Sequence, residues 1–185
     1  IKEPLKKIEI GIVKKQDTLE NPAKPAYLAI GSNLGNKINN IEIAKFELEK
    51  YKIKILKSSS NYLSESWPDA KNPNYINIII KIKTNLEPLK LLKICNLIES
   101  KLGRIRSKKN APRTCDIDII DYDKKIFDEK NSKLILPHPR MNERNFVLLP
   151  LFEVDKSWKH PKSNINIVNL INSLPIKDLR SIKQI

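Results

Sequence analysis

The clearest pattern along the chain is a strict two-residue alternation between Tyr75 and Thr84. Successive side chains of a strand point to opposite faces of a sheet, so this alternation predicts a β-strand with two different faces. One face carries the isoleucines Ile76, Ile78, Ile80 and Ile82. The other face mixes aromatic, apolar, polar and basic residues: Tyr75, Asn77, Ile79, Lys81 and Lys83. We expect the isoleucine face to lie on the hydrophobic core.

Three further strands follow from shorter patterns. The apolar run 26–30 is closed by the turn residues 31–36 and predicts a buried strand. Partial alternation predicts a second strand over 53–66, which a polar loop with two prolines separates from the strand at Tyr75. Alternating residues over 116–121 predict the fourth strand.

Two helices are predicted between these strands. Residues 39–50 carry Ile43, Phe46 and Leu48 at roughly helical spacing, which predicts a helix with these three on its apolar face. The second helix is predicted over residues 87–102. Pro88 lies in its first turn, where proline is tolerated, and Gly103 follows its last turn. The apolar stripe of this second helix consists of Leu91, Leu92, Cys95, Ile98 and Leu102.

The element order is β-α-β-β-α-β, which predicts an α+β domain with a ferredoxin-like core. In this fold an antiparallel sheet carries both helices on one face. Beyond the core we predict a hairpin around 123–124, a loop at 136–139, a helix over 145–154 and a short helix over 167–173. We assign this domain to residues 26–185. Residues 1–25 are predicted to be an N-terminal extension or linker, since they end in two closely spaced prolines.

Composition narrows the class of protein. A length of 185 residues suits one domain with a single hydrophobic core. We see no apolar run of bilayer length and no signal core, so we expect neither membrane insertion nor secretion. Two cysteines do not indicate a disulfide scaffold. These features together predict a reduced, cytoplasmic protein, and we expect a monomer.

The net charge of +14 admits two interpretations. It indicates an anionic partner, either a nucleic acid or a phosphorylated small molecule. Alternatively, it reflects a general preference for lysine on solvated surfaces. The charge therefore supports a polyanionic substrate without identifying it.

A pair of acids gives the sharpest chemical signal. Asp116 and Asp118 are two residues apart on a predicted strand, so their side chains share one face while Ile117 and Ile119 point the other way. Two adjacent carboxylates repel each other unless a positive charge lies between them. A divalent cation such as Mg²⁺ is the usual solution beside ATP. The alternative is a solvated acidic pair that nearby lysines neutralise.

A basic loop precedes this pair and strengthens the metal interpretation. Between Gly103 and Asp116 the chain carries five basic residues: Arg104, Arg106, Lys108, Lys109 and Arg113. Phosphoryl transfer needs both carboxylate-held metal ions and cationic side chains that bind phosphate. A mobile connector or an RNA-binding patch would explain the basic residues alone, but paired acids would repel a nucleic acid backbone.

Five segments of the chain together resemble one enzyme family. Residues Lys109–Ile120 look like the signature segment of the 6-hydroxymethyl-7,8-dihydropterin pyrophosphokinases of folate synthesis. Residues 29–35, 74–77, 136–141 and 144–151 resemble further segments of that family in the same order. The resemblance covers 26–154 and implies a ferredoxin-like fold, in agreement with the element order.

The resemblance also implies an activity and a set of residues. The implied reaction moves a diphosphate from ATP, the co-substrate, to the hydroxymethyl pterin and needs two Mg²⁺ ions. Implied catalytic residues are Arg104, Arg113, Asp116 and Asp118, and the two acids are also the implied metal ligands. Implied pterin contacts are Tyr75, Asn77, Phe146 and Trp67. Implied ATP contacts are Asn96, Glu99, Arg106, Lys109, Ile119, His138 and Arg144. Nucleic acid and membrane are not expected partners, whereas a fused or neighbouring folate-pathway enzyme is left open.

Some positions depart from the family or match nothing in it. Asn110 stands in a shortened basic loop where some members carry Trp, and Pro139 stands where an aromatic residue is common. His160 matches no family position and is expected at the surface. Ser32 and Asn33 are expected only to shape the turn after the first strand.

Two other functions share parts of this pattern. An RNA-binding module can have the same element order, but it needs stacking aromatics on its central strands. A catalytically silent relative would act as a scaffold, although both acids and both key arginines are present.

Overall fold

A computed structural model describes residues 22–66, 69–104, 111–128 and 134–185. The strands are β1 (Lys24–Ser32), β2 (Lys54–Ser58), β3 (Tyr62–Ser64), β4 (Tyr75–Thr84), β5 (Asp116–Tyr122), β6 (Phe127–Asp128), β7 (Ile135–Leu136) and β8 (Ile182–Gln184). The helices are α1 (Lys37–Lys50), α2 (Pro88–Lys101), α3 (Asn145–Val154), α4 (Ile167–Asn172) and α5 (Ile176–Arg180), with a 3₁₀ turn at Met141–Glu143. In these described ranges no helix has both the length and the apolar character needed to cross a membrane.

Strand β4 is the centre of an antiparallel sheet with the order β5-β1-β4-β3-β8. Strand β2 also pairs with β4, next to β3 along the same side. The predicted strand over 53–66 is therefore two strands. The interruption lies at Ser59, whose backbone N donates to the carbonyl of Ile79 and whose Oγ accepts from the N of Ile79. The antiparallel sheet and the bounds of β4 are as predicted.

Helices α1 and α2 cover the isoleucine face of β4, as the ferredoxin-like plan requires. The predicted apolar face of α1 is partly wrong. Phe46 is 60% exposed and Ile43 is 38% exposed, whereas Ile41, Ala44 and Leu48 are buried. These three residues follow the i, i+3, i+7 spacing of a single helix face, and that face is the one that meets the sheet.

A second hydrophobic core lies on the opposite face of the sheet. Ile79 of β4 is fully buried there and packs in one cluster with residues of α3 and α4. The mixed face of β4 is therefore covered in its middle. His160, expected at the surface, is only 7% exposed, because Ser163 bonds its Nδ1 and its ring meets Trp158 edge-on at 6.0 Å.

The C-terminal part contains elements that the sequence did not predict. The turn at 123–124 is present, with positive φ at both residues, but the pairing that follows joins β6 to β7. Helix α3 has the predicted bounds, and α4 ends one residue earlier than predicted. Helix α5 and strand β8 were not predicted, and β8 pairs with β3.

Candidate active site

The two paired acids lie on β5, on the face of the sheet opposite to α1 and α2. Ile117 and Ile119 are each only 3% exposed and pack in the first core, whereas Asp116 and Asp118 are half-buried. The alternation predicted from the sequence is therefore confirmed. The strand brings two carboxylates side by side.

Asp116 is held by two arginines. Arg104 Nη1 donates to Oδ1 of Asp116, and Arg113 Nη1 donates to Oδ2 over 2.8 Å. Arg104 also pairs over 2.5 Å with the buried carboxylate of Glu99, which accepts a 2.8 Å bond from the backbone N of Ile117. Burial opposes the charge of Arg104, but Asp116 and Glu99 outweigh it and raise the pKa of the guanidinium. Glu99 thus fixes Arg104 against β5.

Asp118 is approached by one arginine and one histidine. Arg144 Nη1 lies 3.3 Å from Oδ2 of Asp118, and His138 Nε2 lies 3.8 Å from the same oxygen. The other ring nitrogen of His138 accepts a 3.2 Å bond from the backbone N of Arg140. Burial, followed by the charges of Arg144 and Arg140, lowers the pKa of His138 to about 4, so the imidazole is neutral at pH 7.

The predicted pterin residues lie at the starts of β4 and α3. Tyr75 and Asn77 share the β4 face that α3 covers, and Phe146 belongs to the first turn of α3. Asn77 is buried, and its Nδ2 donates to Ser64 Oγ over 2.9 Å. A Cβ at Gly31 would lie 3.1 Å from Oδ1 of Asn77 and 3.6 Å from the Tyr75 ring. Glycine therefore lets both side chains approach β1 closely.

Two contacts join these aromatic residues to the charged cluster, which consists of Asp116, Asp118, Arg104, Arg113 and Arg144. Burial raises the pKa of the Tyr75 hydroxyl, and the neighbouring Arg113 partly offsets that rise. The guanidinium of Arg144 lies 5.4 Å from the centroid of the Phe146 ring while its Nη1 reaches Asp118. The residues predicted for the two substrates are therefore adjacent.

Asn33 is the residue that sequence reasoning underestimated. It is 2% exposed, and its Oδ1 accepts a 2.7 Å bond from the backbone N of Arg113. Its Nδ2 donates to Ser66 Oγ over 3.3 Å and to the carbonyl of Pro73 over 3.1 Å. A second backbone bond runs from Asn33 N to the carbonyl of Arg113. One side chain thus joins the loop before β5 to the loop between β3 and β4.

A cavity of about 170 Å³ with both polar and apolar lining opens beside Asp118. Its lining residues come from α2, β5 and the segment around β7: Leu92, Asp118, Ile119, Leu134, Ile135, His138 and Pro139. Ile119 and His138, both predicted to contact ATP, are among them. Asn96, a third such residue, is half-buried on α2, three residues before Glu99.

Some predicted residues lie outside the described part of the chain. These are Trp67, Arg106, Lys109, the unusual Asn110 and most of the predicted N-terminal extension. Their roles stay predictions.

The predicted Mg²⁺ site depends on which side chains could act as metal ligands. Residues 22–66, 69–104, 111–128 and 134–185 contain no cluster of three or more His, Cys, Asp or Glu that could hold a metal ion. Two carboxylates on one strand face nevertheless fit Mg²⁺, which usually takes one or two carboxylates and completes its shell with substrate phosphates and water.

Comparison with known proteins identifies a family. Residues 27–156 match the model of the family described as 7,8-dihydro-6-hydroxymethylpterin-pyrophosphokinase, or HPPK. The 2-amino-4-hydroxy-6-hydroxymethyldihydropteridine pyrophosphokinase of Synechocystis is 36% identical over 150 residues, which cover 80% of this chain and 75% of that protein. The folic acid synthesis protein fol1 of Pneumocystis carinii is 35% identical over 170 residues, 92% of this chain.

The chain spans only about a fifth of the length of that fungal relative, since the matched part is 22% of it. A crystal structure of Plasmodium falciparum HPPK-DHPS with pterin and p-hydroxybenzoate matches with a TM-score of 0.73. It is 18% identical and covers 91% of this chain and 48% of that one, so it supports the fold alone. From the match of 27–156 and the Synechocystis relative together, the chain belongs to the 7,8-dihydro-6-hydroxymethylpterin-pyrophosphokinase family.

Proposed function

We propose that this chain transfers a diphosphate from ATP to 6-hydroxymethyl-7,8-dihydropterin, giving AMP and the pterin diphosphate. The observation that carries the proposal is the position of the charged cluster. Asp118 lines the cavity, and Arg144 reaches both Asp118 and the ring of Phe146. Arg113 bonds Asp116 and neighbours Tyr75. A nucleotide base suits the cavity, and a flat polar ring suits the aromatic and amide side chains.

The arginines supply the charge that the transferred group needs. Arg104 and Arg113 each bond a carboxylate oxygen of Asp116, and Arg144 approaches Asp118. Phosphate oxygens are equally good acceptors for these guanidinium groups. We infer that the arginines move from the carboxylates to the diphosphate when ATP binds, which frees Asp116 and Asp118 as ligands. Catalysis then rests on positioning and on neutralising charge in the transition state.

Mg²⁺ is the metal that we propose for this site, held by Asp116 and Asp118. When bound beside phosphates, such an ion neutralises charge and orients the attacking oxygen for in-line displacement. Because Arg104 and Arg113 occupy both oxygens of Asp116, the site should bind Mg²⁺ weakly until phosphates attract the arginines. Mg²⁺ affinity measured calorimetrically should therefore rise when α,β-methylene-ATP is added.

We propose that the pterin-binding residues contact both the faces and the polar edge of the acceptor ring. Tyr75 and Phe146 offer aromatic faces, and Asn77 offers an amide that Ser64 holds in one orientation. Orientation matters because an acceptor hydroxyl that is misplaced by about 1 Å loses much of the advantage of proximity.

A role within a larger folate-synthesis protein is a further part of the proposal. The fungal relatives are named as folic acid synthesis proteins, and the Plasmodium falciparum structures are of HPPK-DHPS. Both extend well beyond the matched part. We propose that the product of this domain passes to a neighbouring folate enzyme.

The deciding experiment is an assay of the purified chain with ATP, 6-hydroxymethyl-7,8-dihydropterin and Mg²⁺. We expect AMP and the pterin diphosphate in equal amounts, and neither product in the presence of excess EDTA. 6-Methyl-7,8-dihydropterin is the matched control, because it keeps the ring but lacks the accepting hydroxyl. Absence of AMP with every divalent cation tried would refute the proposal, and equal AMP with the methyl analogue would indicate ATP hydrolysis.

A further inference from the structure

The C-terminal segment 176–185, which comprises α5 and β8, lies against the proposed acceptor pocket from outside. Helix α5 contains no fully buried residue, and its Leu179 packs partly buried against the second core. Strand β8 pairs with β3, where Ile182 lies opposite Ser64 and is itself buried. The chain end adds a 2.9 Å bond from Ile185 N to the carbonyl of Asn61. The pairing of β8 with β3 and the bond of Ile185 N thus hold the segment against the sheet.

One contact leads to the Phe146 side of the pocket. Asn145, the first residue of α3, is buried, and its Nδ2 donates to the carbonyl of Asp178 over 2.5 Å and to Ser181 Oγ over 3.2 Å. Phe146 is the next residue in the chain. The position of the ring therefore depends on how the first turn of α3 is tied to the C-terminal segment.

The other contact leads to the Asn77 side. The pairing of Ile182 with Ser64 fixes the end of β3, and Ser64 Oγ accepts the 2.9 Å bond from Asn77 Nδ2. Within a few residues, the same segment thus ties down both the amide side of the pocket and its aromatic side.

We propose that segment 176–185 is a positioning element of the acceptor pocket, with Asn145 as its positioning residue. This inference rests on the proposed function. The segment sets the distance between Phe146 and the Asn77–Ser64 pair, and so controls how tightly the pterin ring is held. Within the described residues, no hydrogen bond or ion pair joins segment 176–185 to Asp116, Asp118 or their arginines. Asn145 follows Arg144 in the chain, so we expect nucleotide binding to depend on the segment less than pterin binding does.

Asn145→Asp tests the proposal with a nearly isosteric side chain that lacks the amide donors. An acid in the first turn of a helix is favourable, so α3 itself should not be weakened. Asn169→Asp is the matched control, because Asn169 is an exposed asparagine in the first turn of α4. Two dissociation constants are measured: that of α,β-methylene-ATP, and that of the hydroxymethyl pterin in its presence.

We expect Asn145→Asp to raise the dissociation constant of the pterin about threefold to tenfold, the size expected for one or two lost hydrogen bonds. The constant for the nucleotide analogue should change by a smaller factor, and Asn169→Asp should change neither. Pterin affinity within twofold of wild type in folded Asn145→Asp overturns the inference. Equal weakening of both ligands overturns it too, since that result indicates general loosening.

A second variant decides the matter if Asn145→Asp does not fold. Ser181→Ala removes one of the two acceptors and leaves the bond to Asp178, so it should weaken pterin binding in the same direction by a smaller factor. Unchanged pterin affinity in Ser181→Ala would then overturn the inference. A wild-type chain that forms no AMP refutes the proposed function and this inference together, whereas normal turnover with unchanged pterin affinity in the variants overturns this inference alone.

Discussion

Asn33 offers the most direct test of how the site is held together, because it bonds two loops that we assign to different substrates. Replacing it with alanine removes the acceptor of the 2.7 Å bond from Arg113 N. It also removes the donors to Ser66 Oγ and to the carbonyl of Pro73. Ser66 still donates to that carbonyl over 2.6 Å, so the second loop keeps part of its structure.

The expected cost of Asn33→Ala follows from these bonds. A buried backbone N–H left without its partner costs about 1 to 3 kcal/mol, and a typical hydrogen bond contributes about 1 kcal/mol. The bond to Ser66 is long and weak at 3.3 Å. We therefore expect the free energy of unfolding to fall by about 3 kcal/mol, which is a large part of the stability of an ordinary domain. Displacement of Arg113 should also lower kcat about tenfold or more.

Urea unfolding at pH 7 and turnover at saturating substrates measure both effects. Asn40→Ala is the matched control, since in the described part of the chain the Asn40 side chain bonds only nearby residues, Ser32 Oγ and the carbonyl of Leu34. This control should lose about 1 kcal/mol and keep its kcat. The reasoning is refuted if Asn33→Ala loses no more stability than Asn40→Ala and turns over at the wild-type rate.

Three further predictions concern separate parts of the molecule. Asp118→Ala should lower kcat at least about 100-fold with an unchanged unfolding midpoint, and near-normal turnover would rule out its proposed metal role. Gly31→Ala places a methyl group 3.1 Å from Oδ1 of Asn77. It should therefore raise the KM for the pterin and leave the KM for ATP constant. A reversed pattern would argue against Asn77 as a pterin contact. Burial alone would raise the pKa of Asp155, but hydrogen bonds, among them one from Lys81, hold it below the usual value. This stabilisation is complete above the unfolded-state pKa of about 3.9 and is lost as pH falls through the folded-state pKa. Asp155→Asn should therefore reduce stability at pH 7 by about 1 to 2 kcal/mol and flatten its fall below pH 4; an unchanged acid titration curve would contradict this account.

The elements with one dominant periodicity could be predicted from sequence. Strand β4 has the predicted bounds because its isoleucines alternate without interruption, and α3 has them because its apolar run is nearly continuous. The position of helix α1 in the sequence was predicted well, but its buried face was predicted wrongly in part. Its apolar residues occupy more than one face, and only packing against the sheet selects the face of Ile41. Strand β8 is short and mostly exposed, so its pairing with β3 leaves no local signal.

The same distinction applies to the site. The pairing of Asp116 with Asp118 follows from strand geometry, which acts over two residues. The bonds of Asn33 reach residues 33 to 80 positions away, so they depend on the whole sheet having formed. No local pattern distinguishes such a residue from an ordinary turn asparagine. Sequence reasoning can therefore identify the charged groups of a site more readily than the uncharged residue that connects them.

The central place of β4 has a consequence for the order of folding. Its partner β1 is made first, yet Lys24 pairs with Thr84, so no part of the main sheet can assemble during synthesis until β4 has emerged. Strand β5 then adds to β1, and β8 reaches β3 only after residue 184 has been made. Until that moment β3 is an open edge, with unpaired backbone groups that can attract a strand from another chain. The nascent domain is thus open to aggregation at this edge until β8 arrives and covers it.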